Sequence, residues 1–137
     1  MRWALALALV AVAAVVVAFV VAVGSTRDPV PAALRDCATD GGAGVMRSAP
    51  DLGAQARSDI GAGALREVSR SRVGDDTAVL LAGTGYRLLV LAGRKSPGLD
   101  GDLAMRVFER TAAFALVAKE VDPVRGVLRG CVAIQAR

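Results

Sequence analysis

Residues 3–23, WALALALVAVAAVVVAFVVAV, are 21 consecutive apolar residues without a charge. As a helix rising 1.5 Å per residue they extend roughly 31 Å, the thickness of a bilayer's hydrocarbon core. In lipid every backbone N–H and C=O needs an internal partner, which enforces a helix despite the β-branched valines. Trp3 lies at one end of the run, where an indole suits the interface. The expectation is a single N-terminal transmembrane anchor over residues 1–24. The alternative is a long signal sequence cleaved near Gly24, because Ala22-Val23-Gly24 places small residues before Ser25. A signal peptide's apolar region is usually about 7–15 residues long, which favours the anchor.

Orientation is poorly fixed by charge. Arg2 precedes the run, and Arg27 and Arg35 follow it, interleaved with Asp28 and Asp36. The cysteines supply the direction. Cys37 and Cys131 are the two cysteines of the chain, and an even count outside the cytoplasm reads as a disulfide. The expected topology is therefore N-terminus cytoplasmic and C-terminal part extracytoplasmic. A bond between them would close a loop of nearly 100 residues. Chain-entropy arithmetic assigns such a loop about 4–5 kcal/mol, an upper figure. Two thiols without histidine cannot fill a tetrahedral zinc shell, and no CxxC is present. Neither cysteine follows a lipobox, and there is no twin-arginine signal. Fifteen Arg against two Lys, with 27 Ala, is the residue bias of a GC-rich bacterial genome.

Residues 25–36 carry Pro29 and Pro31 and read as an extended stalk. Residues 37–137 read as one small domain bracketed by the cysteines. Residues 38–51 look irregular, with a short strand near Val45-Met46. Between 52 and 72 two readings compete. Leu52, Ala56, Ile60, Ala64 and Val68 recur every four residues, as on a helix capped by Asp51. Gly53, Gly61 and Gly63 oppose that helix, and residues 64–72, ALREVSRSR, suit an exposed strand.

Val73-Gly74-Asp75-Asp76 is a turn signal. Residues 77–82 and 86–92 are apolar runs around Gly83-Thr84-Gly85, the pattern of a β-hairpin. Residues 93–102 read as a loop containing Pro97. Residues 102–113 place Leu103, Val107 and Phe108 on one helical face, with Asp100 or Asp102 as cap. Residues 114–121 look strand-like, 122–126 (DPVRG) turn-like, and 127–134 strand-like again. The expected fold class is α+β: a small antiparallel sheet with one or two packed helices behind a transmembrane helix. An all-β sandwich, with 102–113 as strand, is the alternative.

The chain has no histidine, which removes every mechanism needing an imidazole. Asp75-Asp76 and Asp100-Gly101-Asp102 are close carboxylate pairs, but turns and caps already explain aspartate there. Gly83-Thr84-Gly85 lacks the following helix of a phosphate loop. A Ser/Lys dyad would have to draw on Lys95-Ser96 or Lys119, both in solvated contexts. No catalytic residue, metal or cofactor is expected. Arg66, Arg70 and Arg72 form a candidate patch for an anionic contact such as lipid headgroups. Residues 24–137 hold 16 basic and 13 acidic residues, so one solvated face is the simpler reading. With few aromatic platforms for base stacking, no nucleic-acid partner is expected.

The functional expectation is thus a membrane-anchored extracytoplasmic bacterial protein. Its partners are the lipid bilayer, through residues 3–23, and another envelope component that the domain binds or supports. The alternatives are a small secreted or anchored hydrolase without histidine, or a small-ligand binding domain.

Overall fold

The computed structural model describes residues 27–39, 49–93 and 101–137. The expected anchor over 1–24, the strand near Val45-Met46, and Lys95, Ser96, Pro97 and Asp100 lie outside the described residues. Among the described residues no helix is long and apolar enough to cross a membrane.

Helix α1 spans Val30–Thr39 and α2 spans Pro50–Ala62. Strands β1 (Arg66–Val73), β2 (Asp76–Gly83) and β3 (Tyr86–Ala92) follow as a meander. Helices α3 (Gly101–Glu109) and α4 (Ala112–Glu120) come next. The hairpin β4 (Val121–Leu128) and β5 (Cys131–Ala136) closes the fold. The five strands are ordered β1-β2-β3-β5-β4, and all neighbours are antiparallel. The described residues form an α+β fold, with two helices on each face of the sheet.

That three-layer arrangement explains the apolar runs. Val79, Leu81, Tyr86, Leu88, Val90 and Ala133 pack against Val30, Ala33 and Cys37 of α1 and Ala56 of α2. The alternate residues Leu80, Leu89, Leu91, Val132 and Ile134 pack against Ala104 and Phe108 of α3 and Val117 of α4. A sheet buried on both faces needs apolar residues at every position of its central strands. The edge strand β1, by contrast, is polar and carries a register shift between Glu67 and Ser69.

Residues 30–36 are a correction to the extended stalk. Pro29 and Pro31 flank the start of a helix, where a missing N–H is no loss. Asp28 Oδ1 accepts from Val30 N–H at 3.1 Å and so caps α1. The two readings of 52–72 both hold, in succession. The four-residue stripe is correct as far as Ile60. Gly63, at φ 65°, then ends α2 in a left-handed cap. Its N–H bonds Ile60 O at 3.2 Å, and Ala64 N–H bonds Asp59 O at 3.0 Å. The start of α2 is set by Pro50 after Ala49; Asp51 lies in the first turn and is not the cap.

The later elements differ more from expectation. Residues 114–120, expected as strand, are the body of α4. Alanines favour helix, and Phe114, Val117 and Val121 recur at helical spacing toward the second core. Residues 122–126, expected as a turn, lie inside β4. Pro123 is tolerated because β4 is an edge strand whose register shifts between Val121 and Arg125. Residues 127–134 are two strands joined at Arg129-Gly130, with Gly130 at φ 72°. The β2–β3 loop is the two residues Thr84-Gly85, because Gly83 pairs with Tyr86. The all-β alternative fails because 101–109 is helical. Asp102 is already inside α3.

Candidate functional site

Cys37 and Cys131 form a disulfide with Cα atoms 6.0 Å apart, as the sequence led one to expect. Both residues are fully buried. Cys131 opens β5, paired on one side with Val90 and on the other with Leu128. The bond therefore fastens α1, the first described helix, to the centre of the sheet. Close backbone packing holds α2 in the same layer. A Cβ on Gly126 of β4 would lie 2.7 Å from Gly53 N and 3.0 Å from Ala49 O. Only glycine permits that approach.

A second tie runs from α2 to the β2–β3 hairpin. Tyr86 is fully buried and its hydroxyl donates to Asp59 Oδ2 at 2.7 Å. Its ring covers Gly83, the residue opposite it in the hairpin. Gln55 Nε2 donates to Thr84 O at 3.2 Å. Burial, aided by the Asp59 carboxylate, pushes the phenol of Tyr86 well above the ordinary tyrosine range. A folded pKa above the unfolded value of about 10 gives stability that is complete below pH 10. That stability is lost as pH rises through the folded value. The substitution Tyr86→Phe is expected to cost about 0.5–1.5 kcal/mol at neutral pH. It should also remove one proton's worth of alkaline slope, about 1.4 kcal/mol per pH unit. Urea midpoints of both proteins between pH 8 and 11 check both parts.

The expected arginine patch is divided by the fold. Arg70 pairs with Val79 and Arg72 with Thr77, which puts both on the α1–α2 side of β1. Arg66 pairs with Ala82, beyond the register shift, and so lies on the other side. One inserted residue reverses the side-chain phase. Arg70 is already engaged. Its Nη1 and Nη2 donate to the two Asp28 carboxylate oxygens at 3.0 and 3.1 Å. Its Nε and Nη2 donate to Glu67 at 2.9 and 2.8 Å. The Arg70 guanidinium holds both carboxyls below their usual range. Depressed carboxylate pKa values stabilise above about pH 4, the unfolded values, and this contribution fades as pH falls through the folded ones. The side chains are 38% and 44% exposed, so the network contributes at most about 1 kcal/mol. Asp28→Asn should accordingly flatten acid sensitivity below pH 4 by no more than that, measured by thermal midpoints with and without salt.

Two concavities are lined by side chains of different character. The first, about 510 Å³, is polar and includes Arg27, Asp28, Arg70, Ser71, Arg72 and Thr77. The second, about 440 Å³, is an apolar groove where α3 and α4 meet the outer hairpin. Met105, Phe114, Ala118, Val121 and Ile134 form its wall. Asp122, Arg125 and Arg137 form its rim, with Arg137 Nε donating to Asp122 Oδ1 at 3.1 Å. The sequence reading missed this groove because it took 114–121 for a strand. The signal available was the alanine-rich helical composition of AAFALVAKE.

The remaining candidates are scattered. Asp75 is exposed in the β1–β2 turn, and the Asp76 carboxylate lies against Gly93. Lys119 is exposed on α4. Among the described residues no three of His, Cys, Asp and Glu converge. Gly83-Thr84-Gly85 runs into strand β3, as a hairpin does. No protein-family model, curated protein or solved structure matches the chain.

Proposed function

We propose that the chain is a single-pass bacterial membrane protein whose folded part stands on the extracytoplasmic side. There it serves as a binding or accessory module for another envelope component. The observation that carries this reading is the buried Cys37–Cys131 disulfide, close behind the 21-residue apolar run. Disulfides of this kind persist in oxidising compartments, and an uncleaved apolar run of this length spans a bilayer. The surface best suited to a partner is the groove of Met105, Phe114, Ala118, Val121 and Ile134. An apolar floor with a charged rim is the usual anatomy of a recognition site.

A substitution at the groove mouth tests this. Ala118 is exposed, so Ala118→Arg should fill the groove and leave the core intact. Affinity isolation of the full chain in mild detergent should yield a complex of fixed stoichiometry, and Ala118→Arg should dissolve it. A chain that is monomeric and unaccompanied under the same extraction contradicts the proposal. The groove volume also favours a second reading, a site for a small amphiphilic ligand, since small-molecule sites span about 300–1,000 Å³. Ligand-dependent thermal stabilisation of the purified chain, lost in Ala118→Arg, would select it.

A further inference from the structure

The described residues carry sulfur at Cys37, Met105 and Cys131, and the three are not equivalent. Cys37 and Cys131 are fully buried and joined to each other, so neither presents a thiol to an oxidant. Met105 is the only methionine among the described residues; Met1 and Met46 lie outside them. It is half-buried on α3 and stands in the wall of the apolar groove, on the solvent side of the second core. A small oxidant dissolved in water therefore meets a thioether there and no thiol.

Met105 also holds the groove together. It packs on the second core with Phe114 and Val121, and the same three side chains belong to the groove wall. Its neighbour Ala104, and Phe108 one turn on, enter that core from α3. A thioether suits this place because it is apolar, flexible and polarisable. A sulfoxide does not, because its oxygen is a strong acceptor that loses water when held against Phe114, Val121 and Ile134. We infer that Met105 is an oxidation site, at which a peroxide converts the thioether to a sulfoxide that loosens α4 and releases the occupant of the groove. A sulfur lone pair attacks one oxygen of hydrogen peroxide, and the O–O bond breaks. The sulfur is oxidised by two electrons. The departing hydroxide takes the proton of the transferred oxygen and leaves as water. The site itself stands on the placement of Met105; release of an occupant rests on the groove reading proposed above.

Treatment of the full chain in mild detergent with hydrogen peroxide, followed by peptide mass mapping, tests the site. Met105 should gain one oxygen at a rate within about tenfold of that of a short methionine peptide. Amide hydrogen exchange in α4 should then quicken severalfold, while β2 and β3 stay unchanged. Methionine sulfoxide reductases of both epimer specificities should restore the original exchange. Met105→Leu conserves volume, so it should keep native exchange and not respond to peroxide. Met105→Gln should show the faster exchange without peroxide. The complex isolated by affinity should dissociate on oxidation of Met105 and survive the same treatment in Met105→Leu. A Met105 that peroxide leaves unmodified, or a sulfoxide that leaves α4 exchange unchanged, overturns this inference and not the groove reading. A complex that survives full oxidation of Met105 overturns the release. Absence of any complex overturns the groove partner and the release with it, while the exchange result still decides the site.

Discussion

Removing both cysteines, as Cys37→Ala with Cys131→Ala, is expected to lower the unfolding free energy by about 2–5 kcal/mol. The two residues are 94 positions apart, so the bond restricts nearly the whole unfolded domain. Loop-closure entropy alone would set the figure near the top of that range. The folded state also contributes. The bond pins α1 to β5, and α1 covers Leu88, Val90 and Ala133 on the first face. Small domains of this size have about 5–15 kcal/mol in all, so the loss would be a large share. Urea titrations of the oxidised, reduced and double-alanine proteins measure it. The midpoint should fall, and the slope should rise because the unfolded chain becomes less compact. An unchanged midpoint would mean that α1 is held by its apolar contacts alone.

The second large effect is expected at Phe108→Ala. Phe108 is fully buried and is the largest side chain that α3 contributes to the second core. Its neighbours in that core include Leu89, Leu91, Val132 and Ile134 from the central strands. Truncating a buried phenylalanine costs about 3–5 kcal/mol, through lost transfer energy and the cavity left behind. The effect should reach the groove, because Met105, one turn before Phe108, and Phe114 belong to both groove and core. Thermal unfolding of Phe108→Ala should therefore show a much lower midpoint. Leu103→Ala, at an exposed position of the same helix, should change it little. Equal effects at the two positions would contradict the packing of α3 on the sheet.

The central hairpin could be read from sequence because its signals were local. Two continuous apolar runs around a glycine loop have few other solutions. The disulfide could be read because the chain holds two cysteines, one near each end of the folded part. The helices on the second face were less legible. FALVAKEV mixes the β-branched and aromatic residues of a strand with the alanines of a helix, and packing on the second core settles its first seven residues as helical. Asp122-Pro123 looked like a turn because proline is rare inside strands; the register shift on an edge strand is a tertiary fact. The division of the three arginines between two faces was hidden for a similar reason. Arg66, Arg70 and Arg72 share a phase in an unbroken strand, and the irregularity between Glu67 and Ser69 puts Arg66 on the opposite side. The apolar groove needed α3, α4, β4 and β5 together, so no single segment could announce it.

The most direct measurement is intact-mass analysis of the protein taken from the membrane fraction, with maleimide added before any reductant. The account predicts a chain that still carries residues 3–23 and takes up no maleimide until the disulfide is reduced. A soluble chain beginning near Ser25, or two sulfurs labelled in the native protein, would contradict it.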